Sequence, residues 1–426
     1  MTPPDQAVAE LDRPPLIRPQ ISELQDSKIV EVWKLGFTVP DVIGLWVGEG
    51  DLPTPAFINA AAIASLQAGE TFYTPKRGIP ELHQALIDYH RDLYGIRLAD
   101  ERIAVTSAGM NAMMLVMQAI IAPGDNVVVV TPVWPNLAAT IEIMNGEVRE
   151  LALDSTPAGW QLDLDRLFSA CDRRTRAIYI ASPGNPTGWV MPAEQQQAVL
   201  EFCRRRGLWV IADEVYARLI YDRKVAPSFL SLASPEDRLF AVNSFSKTWA
   251  MTGWRVGWLI MPTGLAPIFD KLMEYNTSGG QTFLQRGCVA AIRQGEGFVA
   301  ETVARYRAAR DLVLQRLSAM RKVRVTRPEA AFYLMLHVDG MEDALHFAKR
   351  LVHETRVGLA PGSAFGAGGE GFLRLCFASS LPRLSEAMDR LEKVLDRDPP
   401  ARQPHTVVPA KAGILGSVRR RIGHMP

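Results

Sequence analysis

Cysteine and histidine are scarce in this chain of 426 residues, with four of the first and seven of the second. Cys171, Cys203, Cys288 and Cys376 stand far apart and form no CxxC pair. That spacing excludes a zinc-type cluster, so no metal is expected and the four thiols read as reduced core residues. Charge of one sign is lacking too. Lys and Arg number 47 against 46 Asp and Glu, so no global excess draws the chain to nucleic acid or to an acidic membrane surface. No apolar run reaches the roughly 18 residues that a membrane span needs. "MNAMMLVMQAIIAPGD" (110–125) comes nearest, but it carries Asn111 and Gln118 and ends in a turn, so it reads as a buried helix. The opening "MTPPDQAVAELDRPP" has no basic stretch before an apolar core, so no secretory signal is read and a cytoplasmic location is expected. There is no internal repeat.

What the chain has is a series of short apolar runs separated by helical patterns. "NVVVVTP" (126–132), "RAIYIASPG" (176–184), "GLWVIADE" (207–214), "LFAVNSFSK" (239–247) and "VGWLIMP" (256–262) lack polar alternation. Strands of that kind have both faces covered, which predicts an α/β fold with a mostly parallel sheet between helical layers. Between them, "PAEQQQAVLEFCRRRG" (192–207) has helical spacing, a basic last turn and a glycine stop. A long amphipathic helix over 296–320 leads into a smaller α+β lobe, with a strand near "AAFYLMLHV" and a closing helix near "SEAMDRLEKVLDR". The division that follows is an N-terminal arm (1–27), a small domain (28–50 with 296–398), a large cofactor-binding domain (51–295) and a disordered tail (399–426). The tail's Arg419–Arg421 triplet reads as a solvated end.

The polar signals fall just after the apolar runs, where open α/β sheets place their ligand crevice. "GNPTG" follows the 176–184 strand, "DEVY" the 207–212 strand, and Ser244, Ser246 and Lys247 the 239–243 strand. Earlier, Thr106 and "SAGMNA" (107–112) pass from a strand into a helix, whose first amides form an anion site. An amide, a carboxylate with a phenol, a primary amine and a phosphate cradle together suit pyridoxal 5'-phosphate. Lys247 suits its aldehyde, and Asp213 suits its ring nitrogen. Asn185 and Tyr216 suit its 3'-oxygen. Ser244, Ser246 and Arg255 suit its phosphate, the last by a bidentate fork that a lysine could not form.

The order of these segments resembles the fold-type-I, class I/II aminotransferases, the aspartate aminotransferase superfamily. "YTPKRGIPELHQAL" (73–86), "TPVWPN" (131–136), "SPGNPTG" (182–188), "DEVY" (213–216), "SKTWAMTGWRVGW" (246–258) and "PGSAFGAGGEGFLRLCFA" (361–378) stand in that family's order, within a resemblance running from about 28 to 395. The resemblance implies a large cofactor-binding domain beside a smaller α+β domain. It implies that Trp134 stacks on the pyridine face and that Ala108, Gly109 and Met110 form the backbone phosphate loop. It implies that Arg374 and the Gly48 backbone grip the substrate carboxylate, beside Asn185, and that Asn185–Pro186 is a cis bond. Tyr73 is implied to reach the phosphate of a neighbouring subunit, hence a homodimer with shared active sites.

Two departures bear on substrate. Gly50 replaces the proline many relatives have in "GEPD", which predicts a looser loop, and Met110 stands where some acidic-substrate relatives have lysine. No second arginine for a distal carboxylate is evident, with Lys76, Arg77 or a residue of the other subunit left as candidates. The expected activity is ping-pong transfer of an amino group from an L-amino acid, neutral or apolar rather than aspartate, to a 2-oxo acid. The nearest alternative on the same residues is a carbon–sulfur β-lyase. A DNA-binding regulator is not expected, since only about 27 residues precede the resemblance and no groove-fitting element is seen.

Overall fold

Strands without polar alternation are stable where both faces are covered, and that is where these five runs lie. The structure, a computed structural model, describes residues 16–396. Its central sheet has seven strands: β1 (Ile103–Thr106), β2 (Asn126–Thr131), β3 (Glu147–Ala152), β4 (Thr175–Ala181), β5 (Trp209–Asp213), β6 (Leu239–Ser244) and β7 (Gly257–Ile260). Their order across the sheet is β1-β7-β6-β5-β4-β2-β3. All neighbours are parallel except β7, which runs antiparallel to both β1 and β6. An apolar run carries no mark of direction, so the reversal of β7 is not visible in its residues.

Alternate residues of each strand feed two separate cores. Val128, Val130, Ile178, Ile180 and Val210 pack on one face. Val127, Val129, Ala177, Tyr179, Ile211 and Phe240 pack on the other. The 110–125 run forms one of the covering helices, α2 (Gly109–Ile120), after α1 (Lys28–Gly36). The 192–207 pattern forms α3 (Ala193–Arg206), with Arg204, Arg205 and Arg206 in its last turn and a left-handed Gly207 at φ 66° ending it.

The long helix α4 (Glu296–Ser318) packs against a second, four-stranded sheet. That sheet has β8 (Val323–Val325), β9 (Tyr333–Val338), β10 (Ala360–Pro361) and β11 (Phe372–Cys376), antiparallel throughout, in the order β8-β9-β11-β10. Its core combines Val32 and Ile43 with Tyr306, Ala309 and Val313 of α4 and with Leu384, Met388 and Leu391 of the closing helix α5 (Leu381–Leu395).

Of the expected arm, residues 1–15 lie outside the described residues, and so does the expected tail, 399–426. Residues 19–22 form one helical turn, and Arg18 donates to the Ile143 carbonyl at 3.2 Å. All four cysteines are free thiols, but Cys171, two residues beyond a short helix (Leu164–Ser169), is only half-buried where it packs against the core. Among the described residues no helix is long and apolar enough to cross a membrane.

Candidate active site

Register brings the chemistry-bearing segments together. Thr106, Gly257 and Ser244 sit side by side in one row of the sheet, and Asp213 pairs with both Ala181 and Val242. The segments that leave these residues therefore emerge along one edge. Gly257 allows the closest of the approaches. A Cβ there would lie 2.6 Å from the Gly109 amide nitrogen and 2.7 Å from the Asn243 carbonyl, prising the start of α2 off the strand. At that start Ala108 has φ 89° and ψ 157°, a conformation that costs an alanine on the order of 1–3 kcal/mol. The Gly109 and Met110 amides that follow have no partner within the helix, and both residues line the same cavity as Ser244 and Ser246. The Ser244 hydroxyl accepts from the Ser246 amide at 3.2 Å and donates to the Ser246 hydroxyl at 2.9 Å. Arg255, left-handed at φ 54°, donates from Nη1 to the Thr252 carbonyl at 2.6 Å.

These groups line a cavity of about 410 Å³ that Asp213, Lys247 and Arg374 also face. The Lys247 ammonium donates to the Gly48 carbonyl at 2.6 Å. Burial, assisted by the Arg374 and Arg255 charges, lowers its pKa to about 8. A neutral amine is therefore available near neutrality. At Asp213 burial pushes the carboxyl pKa up, while the Tyr179 hydroxyl, the Val215 amide and the Lys247 charge pull it back. The hydroxyl donates to Oδ2 at 2.8 Å and the amide to Oδ1 at 3.2 Å. The next residue has a different task. Glu214 is turned into the core, where both its oxygens accept from the Ser228 hydroxyl at 2.8 Å.

Across the cavity the second sheet presents Arg374, which is 2% exposed. Its Nη1 donates to Asn185 Oδ1 at 2.9 Å and its Nη2 to the Trp46 carbonyl. Nε is buried without a partner, and among the described residues no carboxylate pairs with the guanidinium. The Tyr333 and Phe365 rings flank it, 4.6 and 4.8 Å from their centroids. Tyr216 and Tyr333 share a hydrogen bond between their hydroxyls at 2.8 Å. Gly48 is hemmed in by the same Tyr333 hydroxyl, so no side chain fits there.

The family description "Aminotransferase class I and II" matches residues 40–391. This chain belongs to that family. Its members use pyridoxal 5'-phosphate, and the chain is a transaminase. It is 35% identical to a probable aspartate/prephenate aminotransferase of Aquifex aeolicus, over 84% of this chain and 91% of that one. It superposes on the solved aspartate aminotransferase of Thermotoga maritima with a TM-score of 0.84 at 34% identity, covering 89% of this chain and 100% of the other. Against the aromatic aminotransferase of Pyrococcus horikoshii the TM-score is 0.80 at 33% identity, covering 85% and 98%.

Within the aminotransferase, most of the residues singled out from sequence line the one cavity. They are Gly48, Gly109, Met110, Trp134, Asn185, Asp213, Tyr216, Ser244, Ser246, Lys247, Arg255 and Arg374. Ala108 is buried beside it, with its amide turned back onto the Thr106 carbonyl at 2.9 Å, so it contributes a backbone angle and no donor. Tyr73 does not line this chain's cavity and is 94% exposed. Asn185–Pro186 is cis, and so are Thr131–Pro132 and Ser182–Pro183, which were not foreseen.

Gly50 is closely packed on its side-chain side. The Tyr306 hydroxyl occupies the place of its missing side chain, and Asp51 beside it pairs with Arg305 at 2.6 Å. Sequence reasoning missed Tyr179, inside β4, and Tyr333, the first residue of β9, each within an apolar run where an aromatic reads as core. It also missed Ile29, Val30 and Trp33 of α1, which form part of the cavity wall.

Proposed function

We propose that this aminotransferase moves an amino group from an L-amino acid to a 2-oxo acid in two ping-pong half-reactions, with a neutral or apolar donor preferred to aspartate. The observation that carries the reading is Arg374, a buried guanidinium without a carboxylate partner that faces the same cavity as the Lys247 amine. An unpaired buried charge costs several kcal/mol, and a ligand carboxylate removes that cost. The α-carboxylate common to amino acids and oxo acids is such a ligand.

The residues present fit pyridoxal 5'-phosphate, which supplies an aldehyde that takes up amino groups and a ring that withdraws electrons from the donor's Cα. The Gly109 and Met110 amides, the Ser244 and Ser246 hydroxyls and the Arg255 fork would hold its phosphate at the positive end of α2. Asp213 would hold a proton at the ring nitrogen. Tyr216 and Asn185 would hydrogen-bond the 3'-oxygen, and Trp134 would cover one ring face. Arg374, with the Gly48 backbone, would orient the donor by its carboxylate so that Cα–H faces Lys247. The Lys247 amine, its pKa lowered to about 8 by burial, would in its neutral form take the proton from Cα and return it on the cofactor side. Tyr73 would serve the phosphate of a partner subunit in a homodimer.

The donor preference is supported by what surrounds the carboxylate site. Among the described residues the cations lining the cavity are Lys247, Arg255 and Arg374, all assigned above. Lys76 and Arg77 are held by Glu274 at 2.5 Å and Asp270 at 3.1 Å. The remaining wall includes Ile29, Val30, Trp33, Val47 and Leu137. Relatives named for aspartate, prephenate and aromatic amino acids bracket this range.

The test is single-turnover absorbance of the holoenzyme mixed with one amino acid at a time and no oxo acid. Full conversion to the amine form of the cofactor with one equivalent of 2-oxo acid, fastest for apolar donors, supports the proposal. Pyruvate and ammonia released over many turnovers would instead make the enzyme a lyase. Aspartate reacting fastest would overturn the donor preference alone.

A further inference from the structure

We propose that Tyr179 is a positioning residue, whose buried hydroxyl fixes the Asp213 carboxylate so that its remaining lone pairs face the cofactor's ring nitrogen. The inference rests on the role given above to Asp213 and deepens it.

The geometry starts in the sheet. Ala181, the last residue of β4, pairs directly with Asp213, the last of β5, and Tyr179 pairs with Ile211. Side chains two apart on a strand share a face, so Tyr179 and Asp213 are diagonal neighbours across adjacent strands. Ala181 carries only a methyl group beside Asp213, which leaves open the space into which the phenol reaches. All three residues line the cavity. Tyr179 is 1% exposed, and its one side-chain hydrogen bond is to Asp213 Oδ2 at 2.8 Å.

With the Val215 amide on Oδ1 at 3.2 Å, each carboxylate oxygen is held by one donor. A carboxylate oxygen has two acceptor sites, so each keeps one to offer the cavity. The donors are complementary in kind. The amide holds the carboxylate near its own backbone, whereas the phenol anchors it to the neighbouring strand and so to the sheet. Burial and the Asp213 charge keep the phenol's pKa well above its usual range, so Tyr179 stays a donor at every working pH. A phenylalanine would fill the same core and leave one carboxylate oxygen unheld.

The test is a cycle between this hydroxyl and the ring nitrogen, read by binding and not by turnover. Full-length apoenzyme, wild type and Tyr179→Phe, is titrated with pyridoxal 5'-phosphate and with its 1-deaza analogue, in which a C–H replaces the ring nitrogen. Wild type is expected to prefer the natural cofactor. Tyr179→Phe is expected to lose about tenfold or more of that affinity, the effect of a hydrogen bond to a charged group, and to lose little towards the analogue. Equal losses for both cofactors, or none, would show that Tyr179 acts through packing alone and overturn the inference. If wild type fails to distinguish the two cofactors, the role given to Asp213 fails first. Should Tyr179→Phe not fold, 3-fluorotyrosine at 179 keeps the ring shape and strengthens the donor. It is expected to tighten the natural cofactor selectively, and no selective change would again overturn the inference.

Discussion

The two sides of the cavity treat buried charge differently. On the central sheet, Asp213 receives one donor on each oxygen from the protein itself, and Glu214 beside it is bound on both oxygens inside the core. On the second sheet, Arg374 keeps a buried nitrogen without a partner. The carboxylates of the first side are held before any ligand arrives, while the guanidinium of the second is completed only by one. The difference suits a reaction in which one molecule stays and others come and go. A resident cofactor needs a site already formed, whereas a carboxylate that must leave each cycle is better met by a charge that pays part of the cost of its release.

The comparison can be broken most severely at Lys247, which serves both sides. Lys247→Ala is expected to lower kcat at least about 10³-fold, the contribution of an activated acid–base and nucleophilic amine, in a steady-state assay. In the wild-type apoenzyme, covalent capture of cofactor should quicken as pH rises and level off above about 8, because burial lowers the pKa of the Lys247 amine from its ordinary value. A rate independent of pH from 6 to 9 would contradict the lowered value.

Next in size is the side left incomplete. Arg374→Met is expected to lower kcat/KM by about 10²–10³-fold, the range for loss of one partner from a buried charge pair. Its apoenzyme should melt no lower than wild type, since an unpaired buried charge has been replaced by a chain of similar length. A lower melting temperature would show that the guanidinium is already satisfied without substrate.

A smaller effect is expected at Glu214, whose pKa burial raises to about 7. A carboxyl with a raised native pKa binds more protons folded than unfolded, so its contribution falls as pH climbs from about 4.5 to about 7. The loss is on the order of 3 kcal/mol. Glu214→Gln should lose less stability than wild type between pH 5 and 8 in denaturant titrations, and parallel curves would refute the assignment. Smallest is Ala108→Gly, which relieves φ 89° and should stabilise the fold by about 1 kcal/mol by calorimetry, with no gain in cofactor affinity.

The finished side was also the one readable from sequence. Its residues follow apolar runs, so the strand pattern alone places Asn185, Asp213 and Ser244 at strand ends. There the chemistry of amine, carboxylate and anion cradle can be argued together. The unfinished side was not. Arg374 sits in the middle of β11, where spacing gives an arginine no reason to be buried, and only the family resemblance picked it out. Tyr179 and Tyr333 escaped for a related reason. A tyrosine within "RAIYIA" or "AAFYLML" satisfies the apolar period with its ring, and only the third dimension reveals what its hydroxyl touches. Cross-strand register and the direction of β7 were likewise beyond reach, because both depend on pairings between distant segments.

The row that joins Thr106, Gly257 and Ser244 has a consequence in time as well as in space. The edge strand β1 pairs with β7, and β7 comes last of the seven strands in the chain. The anion cradle therefore cannot exist in a nascent chain until the final strand has inserted between two that were made earlier. During refolding, cofactor capture should lag behind the recovery of secondary structure. The cofactor would then report that the sheet has closed, rather than guide its closing.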